Sequence, residues 1–248
     1  LSLNLQNATQ TRSVTGIFAP FVFGAKNEST KKTFKGEAND PVLPTIQAAY
    51  NKDNWSFQFG FGIMGGGGKC IFKNGLPSFE STVAMLPLLS QNLDAVTNKL
   101  GLGSLGLPAV DSYDMDTYMR GRQYYFGFTF GAAYKFNEHW SAYGGLRMLY
   151  GNSNYYGYVS NIKARFAGSN EYVNASDAFL GQSSEAYEAV GRYTAAAQYA
   201  AQKGDMEGAQ AAQAKAQEYA VKAAMLGALG NATQDVRLNC DQTGWGVA

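Results

Sequence analysis

The chain has 248 residues, of which 46% are hydrophobic, 14% aromatic and only 16% charged, with 29 glycines and a net charge of +1. The aromatic content excludes a disordered chain, and the small net charge argues against an electrostatic nucleic-acid binder. A mean hydropathy of −0.24, without any run of about 18 apolar residues, excludes a bundle of membrane helices. Two cysteines are too few for a disulfide scaffold or a zinc ribbon. An aromatic, glycine-rich and charge-poor composition is typical of a β-barrel whose strands alternate between lipid and lumen.

The hydrophobic pattern predicts six strands, in chain order 12–24, 42–50, 54–66, 116–135, 139–162 and 233–248. The third is the clearest, because large apolar residues alternate strictly with small or polar ones from Trp55 to Ile63. The fourth and fifth are too long for soluble strands and fit tilted strands that cross a bilayer. The predicted fold is therefore an all-β, antiparallel transmembrane β-barrel with helical extracellular loops.

Six strands are fewer than the roughly eight of the smallest known barrels. We therefore expect residues 1–248 to form a partial barrel, with sequence missing at both ends. The alternative is a complete domain with a frayed last strand.

The connections between the predicted strands alternate in length. Tight polar turns at 50–55 and 135–139 alternate with long loops at 25–41, 65–116 and 163–232. Short turns on one side and long loops on the other are the arrangement found in outer-membrane barrels.

Helices are predicted in the two longest loops. The 65–116 loop contains a short apolar helical pattern over 78–100, which Pro87 should kink or split. The 163–232 loop is an Ala-rich insertion with helical runs at 184–202 and 205–229. Asp205 can cap the second run, and the two runs can form a helical hairpin.

Two motifs that suggest catalysis fail on inspection. Four consecutive glycines precede Lys69, but Ile63 and Cys70 stand where a phosphate-binding loop requires Gly and Ser or Thr. His139 is the only histidine and lies in a tight turn, so neither a Ser-His-Asp triad nor a multi-histidine metal site is expected. We predict that the protein is not an enzyme and uses no cofactor.

Acidic and sulfur-containing residues raise two further possibilities. Asp111, Asp114 and Asp116 form either a weak calcium site or a hydrated rim, and the absence of EF-hand spacing favours the rim. No metal site is predicted. Cys70 and Cys240 both lie on the long-loop side, where they can form a disulfide at an oxidising cell surface or remain free thiols.

Two groups of residues are candidates for ligand binding. Arg147 is predicted to face the lumen, with Lys163 and Arg165 at the top of the same strand. These cations can hold a carboxylate, or they are solvated charges. Apolar loop residues can line a capture surface or pack against the barrel mouth; they are Leu76, Met85, Leu86, Leu88, Leu89 and Leu93.

A known family is recognisable at this point. The segments 41–50 (PVLPTIQAAY) and 55–62 (WSFQFGFG) resemble early strands of the FadL-type outer-membrane transporters for long-chain fatty acids and other hydrophobic compounds. Residues 126–141 (FGFTFGAAYKFNEHWS) are similar to the next strand-turn-strand unit of the family. Residues 165–168 and 243–247 also look like family positions.

The resemblance implies a 14-stranded barrel with an N-terminal hatch, helical surface loops that carry a hydrophobic capture groove, and a lateral exit at a kink in the third strand. In this chain the kink would fall at Gly60, Gly62, Gly65 and Gly66. The hatch with its Asn-Pro-Ala element and roughly eight C-terminal strands are absent from the sequence, and the Ala-rich insertion differs from the family loops.

The sequence therefore predicts a channel in the outer membrane of a Gram-negative bacterium for passive uptake of fatty acids or other hydrophobic molecules. Its expected partners are these small molecules and outer-membrane lipid, with no nucleic acid, and a monomer is expected. The alternative is a surface adhesion barrel that binds a partner protein through the 184–229 hairpin.

Overall fold

The structure is a computed structural model that describes residues 1–26, 29–99 and 109–248. About half of these residues lie in strands. In chain order the elements are β1 (Ser2–Ile17), a 3₁₀ helix (Ala19–Phe23), β2 (Lys31–Lys52), β3 (Trp55–Phe72), α1 (Pro77–Ala84), α2 (Leu86–Lys99), β4 (Val110–Lys135), β5 (Ser141–Phe166), β6 (Tyr172–Asn174), α3 (Ala175–Gln202), α4 (Met206–Ala232) and β7 (Val236–Val247).

All strands belong to one antiparallel sheet, which confirms the antiparallel part of the prediction, and the structure is mostly β rather than all-β. The sheet runs in the order β1-β2-β3-β4-β5, so neighbours in sequence are neighbours in space. The far edge of β5 is shared, because β6 pairs with residues 163–165 and β7 pairs with residues 148–159.

The two tight turns lie at one end of the sheet and all helices lie at the other. Between β2 and β3 only Asp53 and Asn54 turn the chain, with Asp53 in the left-handed region at φ 51°, where Asp is tolerated better than most residues. Between β4 and β5 the Asn137 side chain accepts hydrogen bonds from the backbone N–H groups of His139 and Trp140 at 2.9 Å. The predicted alternation of short and long connections is therefore present.

Several strands are longer than the sequence predicts. Residues 31–41 belong to β2 and not to a loop. Both ends of the predicted 65–116 loop are also strand, because β3 continues to Phe72 and β4 begins at Val110. In β2 the buried residues Phe34, Gly36 and Ala38 alternate with exposed ones. Charged residues on the exposed positions hid this period-2 pattern. Residues 100–108 of the predicted loop lie outside the described part of the chain.

The helices follow the sequence prediction more closely. The apolar run splits at Met85 into α1 and α2, and Pro87 occupies the first turn of α2, where a missing N–H costs little. α3 and α4 form the predicted hairpin. The Asp205 carboxylate caps α4 by accepting from the N–H of Gly208 at 2.9 Å. In the described residues, no helix has the combined length and hydropathy that crossing a membrane requires.

The hydrophobic core lies at the helical end of the sheet and not in its middle. There the 3₁₀ helix, α1, α2 and the bases of α3 and α4 pack on the upper parts of β4 and β5. We call these helical segments the cap. The core residues include Phe21, Val83, Leu86, Val110, Tyr113, Ile162, Phe179 and Leu226. The rest of the sheet has no covering layer of helices among the described residues.

Candidate functional site: a window between β2 and β3

The lower half of the sheet has two chemically different faces. One row of paired residues crosses six strands as Leu3, Ile46, Phe61, Phe128, Met148 and Val247. The adjacent row, which points to the opposite side, reads Asn4, Thr45, Gly62, Gly127, Leu149 and Gly246. We call the first side the aromatic face and the second the small-residue face.

The aromatic face is a band five rows high. Its lowest row contains Trp55 and Tyr134, and its highest contains Phe126, Tyr150 and Trp245. The rings contact one another across strands, for example Phe59 with Phe130 at 5.1 Å and Tyr150 with Trp245 at 4.5 Å between centroids. From Trp55 to Ile63 the band spans nine residues, about 30 Å along the strand. Tilted strands of that length rise by roughly 21–25 Å.

The sheet is interrupted at the top of this band. β2 and β3 pair from Lys52 with Trp55 up to Thr45 with Gly62, and again from Asn39 with Lys69 onward. In the ladder described for these strands, residues 40–44 and 63–68 are not paired with each other. We call this interruption the window.

Two features of the local sequence explain the window. Pro41 and Pro44 lie in its β2 side and have no N–H to donate to a neighbouring strand. On the β3 side the pairing with β4 shifts register at two places, near Gly65 and Gly68. Gly66 and Gly68 have φ values of +97° and +65°. Residues with a Cβ atom adopt this backbone conformation only with strain.

A side-chain hydrogen bond passes through the window. The hydroxyl of Tyr124 donates to Oδ1 of Asp40 at 2.8 Å. Tyr124 belongs to the aromatic face, since its ring stacks on Phe126, whereas alternation from Ala38 puts Asp40 on the small-residue face. The Asp40 side chain is only 6% exposed. A Cβ atom on Gly68 would lie 2.5 Å from the Asp40 Cγ, so glycine leaves room for the carboxylate.

The window opens into a cavity of about 370 Å³, within the range of small-molecule pockets. Its lining includes residues of both faces, Gln6, Asp40 and Met64 on one side and Pro44 and Ile63 on the other. The Nδ2 atom of Asn7 donates to the carbonyl oxygen of Pro41 at 3.2 Å and satisfies one acceptor of the interrupted strand.

The cap is anchored by a buried ionic cluster. Lys32 Nζ lies 2.7 and 2.6 Å from the two carboxylate oxygens of Glu80, and the Tyr113 hydroxyl donates to Glu80 Oε1 at 3.0 Å. Burial, followed by the negative charge of Glu80, raises the pKa of Tyr113 well above its usual range. This cluster ties α1 to β2 and β4. α1 covers the small-residue face, because Phe79 lies against Gly157 there.

The predicted kink glycines divide into two groups. Gly65 and Gly66 lie at the window, next to the register shifts of β3. Gly60 and Gly62 lie below it in regular pairs with Thr129 and Gly127. The interruption therefore begins above the first two glycines of the predicted set.

The predicted carboxylate-binding cations do not come together. Arg147 is on the small-residue face, where its Nε donates to Thr129 Oγ1 at 3.2 Å. Arg165 lies eighteen residues along the same strand, about 60 Å away. Its Nε forms an ion pair with Asp111 Oδ1 at 2.9 Å, which raises the pKa of Arg165. Lys163 pairs in register with Asp114 on β4 and with Asn174 on β6. The three cations form no single site.

The predicted capture residues are also dispersed. Leu86 is buried in the core of the cap and Leu93 packs against it. Leu76 and Met85 line two separate cavities, and Leu88 is half-buried. Leu89 is 47% exposed. Packing therefore accounts for part of the set, and the residues do not form one groove.

Of the two possibilities for the cysteines, the structure has the free thiols. Cys70 and Cys240 are both free thiols. They occupy the same row of the sheet, but Gly121 of β4 and Tyr155 of β5 lie between them. Three interstrand spacings amount to about 14 Å, twice the largest Cα separation that a disulfide spans.

The three aspartates at the top of β4 have separate partners. Asp111 pairs with Arg165, Asp114 lies 3.4 Å from Lys26 Nζ, and Asp116 accepts from Asn161 Nδ2 at 3.0 Å. Within the described residues, no group of three or more His, Cys, Asp or Glu side chains is arranged to hold a metal ion.

Sequence reasoning missed Asp40, Tyr124 and the Lys32–Glu80–Tyr113 cluster. The signal for Asp40 was present, since an aspartate between alternating apolar positions and directly before Pro41 is unusual inside a strand. Nothing in the sequence indicated the partner of Glu80, because Lys32 and Tyr113 are distant along the chain.

Comparison of the chain with protein-family models, curated proteins and solved structures found no match.

Proposed function

We propose that this chain forms part of a transmembrane β-barrel in the outer membrane of a Gram-negative bacterium, and that the barrel admits hydrophobic molecules such as fatty acids. The aromatic band supports the membrane location. Its height of roughly 21–25 Å is close to the 25 Å of lipid-facing bands, and aromatic rows border it at both ends. If this face were in contact with water, each large side chain would lack the roughly 1.5–3 kcal/mol of stabilisation that burial provides.

The window is the observation that carries the transport proposal. It connects the small-residue face, which would line the lumen, with the aromatic face, which would contact lipid. A hydrophobic molecule that reaches the lumen could leave sideways through the window into the surrounding lipid, past the polar side chains of Asp40 and Tyr124. The Tyr124–Asp40 hydrogen bond occupies this route in the structure, so we propose that it holds the window closed.

In this proposal no covalent chemistry takes place. The cap covers the small-residue face at the helical end, so entry occurs past α1 and α2. Burial of an acyl chain provides about 0.8 kcal/mol per CH₂ group, and the exposed apolar residues of α2, Leu89 and Val96, offer a first contact.

The orientation of the two faces is tested by a pair of neighbouring substitutions. Phe59 lies in the middle row of the band and Gln58 is on the opposite face. Phe59→Lys should destabilise the protein folded in lipid vesicles by about 2–4 kcal/mol, the cost of a cation that faces lipid at the midplane. The folded fraction should fall accordingly. Gln58→Lys, which introduces the same charge toward the lumen, should fold nearly as well as the wild type. Folded protein is measured by its heat-modifiable electrophoretic mobility. Equal effects of the two lysines would refute the membrane orientation.

Transport is tested by uptake of a labelled long-chain fatty acid into cells that produce the protein. Uptake should exceed that of cells without it. Gly65→Val, which adds a side chain to the cavity lining next to the Tyr125 ring, should reduce uptake at equal amounts of folded protein. Unchanged uptake in both comparisons would refute the transport proposal and leave the membrane orientation standing.

An adhesion function is the second candidate, and the exposed hairpin favours it. Tyr187 and Tyr199 on α3 are 57% and 63% exposed, and aromatic residues are enriched at protein interfaces. Removing residues 187–222 shortens the hairpin but keeps Phe179 and Leu226 in the core. Loss of surface attachment with normal uptake would support adhesion through the hairpin. Normal attachment would refute it.

A further inference from the structure

A pair of basic side chains lies directly above the aromatic band on the same face. Lys69 of β3 pairs in register with Arg122 of β4, and both side chains are exposed. Their row is the next one above Tyr124, about 6–7 Å further along the strand. Arg120, one row higher again, adds a third cation on this face. We call Lys69, Arg120 and Arg122 the basic row.

The charges of the basic row are not neutralised within the described structure. None of the ion pairs formed among the described residues includes Lys69, Arg120 or Arg122. The two arginines instead donate to neutral amides, Arg120 to Asn154 Oδ1 at 2.8 Å and Arg122 to Asn152 Oδ1 at 3.2 Å.

The acidic side chains nearest in the register do not remove this excess. Glu37 lies one row above Lys69 on β2, and Asp241 lies two strands from Arg122, where it accepts from Asn154 Nδ2 at 2.7 Å. Like charges that oppose each other directly across two strands destabilise a sheet. The pair Lys69–Arg122 therefore has an electrostatic cost that an external anion would relieve.

The position of the row identifies the anion. A band of lipid-facing residues ends at the row of Phe126, Tyr150 and Trp245, with Tyr124 one row higher, and the headgroups of the surrounding lipid begin there. Long basic side chains at that level reach headgroups with their charged ends. Lys and Arg are also the common ligands of phosphate, Lys as a point charge and Arg as a planar fork.

We infer that Lys69 and Arg122, supported by Arg120, bind the phosphate group of a lipid in the leaflet next to the helical end of the sheet. This inference rests on the proposed membrane orientation. In a Gram-negative outer membrane the lipid of that leaflet is a phosphorylated glycolipid, so lipid A with two phosphates is the probe. The site lies beside the window, because Lys69 is the first β3 residue that pairs with β2 above it.

The experiment is a titration of the purified full-length protein in detergent with diphosphorylated lipid A, read by native mass spectrometry. The double variant Lys69→Gln/Arg122→Gln should bind lipid A roughly 30-fold more weakly, given the usual contribution of a basic residue at an anionic membrane surface. The matched control Lys203→Gln/Lys222→Gln removes the same charge from the helical hairpin and should bind as the wild type does. Wild-type binding should also weaken as salt is added.

Three outcomes would overturn the inference. They are unchanged binding by the Lys69/Arg122 variant, an equal loss in the hairpin control, and displacement of lipid A by millimolar inorganic phosphate, which would indicate a site for free anions. Folding of each variant is checked by heat-modifiable mobility. The Phe59 and Gln58 variants test the membrane orientation separately. If they behave as expected and any of these three outcomes is found, this inference alone is refuted.

Discussion

Replacing Tyr124 with Phe removes one hydroxyl group and no other atom from the window. The hydroxyl donates to a carboxylate that is 6% exposed, at a distance of 2.8 Å. A hydrogen bond to a charged group contributes about 1.5–3 kcal/mol, and its loss leaves the carboxylate poorly solvated. If the bond exists only in the closed window, Tyr124→Phe shifts the equilibrium toward the open state by roughly 10- to 150-fold.

The assay is the initial rate of labelled fatty acid uptake at equal amounts of folded protein in the membrane. We expect Tyr124→Phe to raise this rate and to increase hydrogen exchange at residues 40–44 and 63–68. Asp40→Asn should raise the rate less, because an amide oxygen still accepts a hydrogen bond from the hydroxyl.

Tyr150→Phe is the matched control for this experiment. Tyr150 lies in the top row of the band, and its hydroxyl takes part in no hydrogen bond among the described side chains; its ring contacts Phe126 and Trp245. The control should therefore leave uptake and exchange unchanged. The reasoning fails if Tyr124→Phe changes the rate no more than Tyr150→Phe does, because the hydroxyl would then have no part in closing the window.

Three further predictions concern the window and the cap. Pro41→Ala/Pro44→Ala returns two N–H donors to β2 and should lower hydrogen exchange at the window and slow uptake, whereas Pro77→Ala, at the start of α1, should do neither. Glu80→Gln should destabilise the cap by up to about 3 kcal/mol. This is less than the cost of breaking a fully buried ion pair, because 30% of the Lys32 side chain is exposed. Proteolysis within α1 and α2 should become faster, and equal cleavage of the variant and the wild type would argue against the cluster as an anchor. Because the pKa of Tyr113 is raised on folding, its stabilising contribution is complete below the unfolded value of about 10 and is lost as the pH rises above that value. The cap should therefore loosen in alkali, as measured by proteolysis, and Tyr113→Phe should remove this pH dependence.

The sequence was sufficient to predict the elements that depend on local pattern. The alternation from Trp55 to Ile63 predicted both the strand and its two faces, and Pro87 and Asp205 marked helix boundaries that the structure has. It underestimated β2 because charged residues at the exposed positions look like a loop when the buried partners, such as Gly36 and Ala38, are small.

The candidate site was less predictable because it depends on contacts between distant residues. Asp40 meets Tyr124 across 84 positions, and Lys32 meets Glu80 across 48. The predicted cations share a strand, but strand length separated Arg147 from Arg165. The cysteines share a row, but two intervening strands kept them apart. In each case the outcome depended on how distant segments pair or pack, and the hydrophobic pattern of a single segment does not specify this.

On the proposed membrane orientation, the position of the window at the top of the band has an energetic reason. Unpaired backbone groups in the hydrocarbon region cost several kcal/mol each, so an interrupted ladder is tolerated only where the groups find other partners. Here Pro41 and Pro44 remove two donors, Asn7 satisfies one carbonyl group, and the interruption lies at the level of Tyr124, next to the basic row. A window at the level of Phe59 would have none of these partners and would face the middle of the bilayer. The same argument explains why Gly60 and Gly62 remain in regular pairs while the register shifts begin at Gly65.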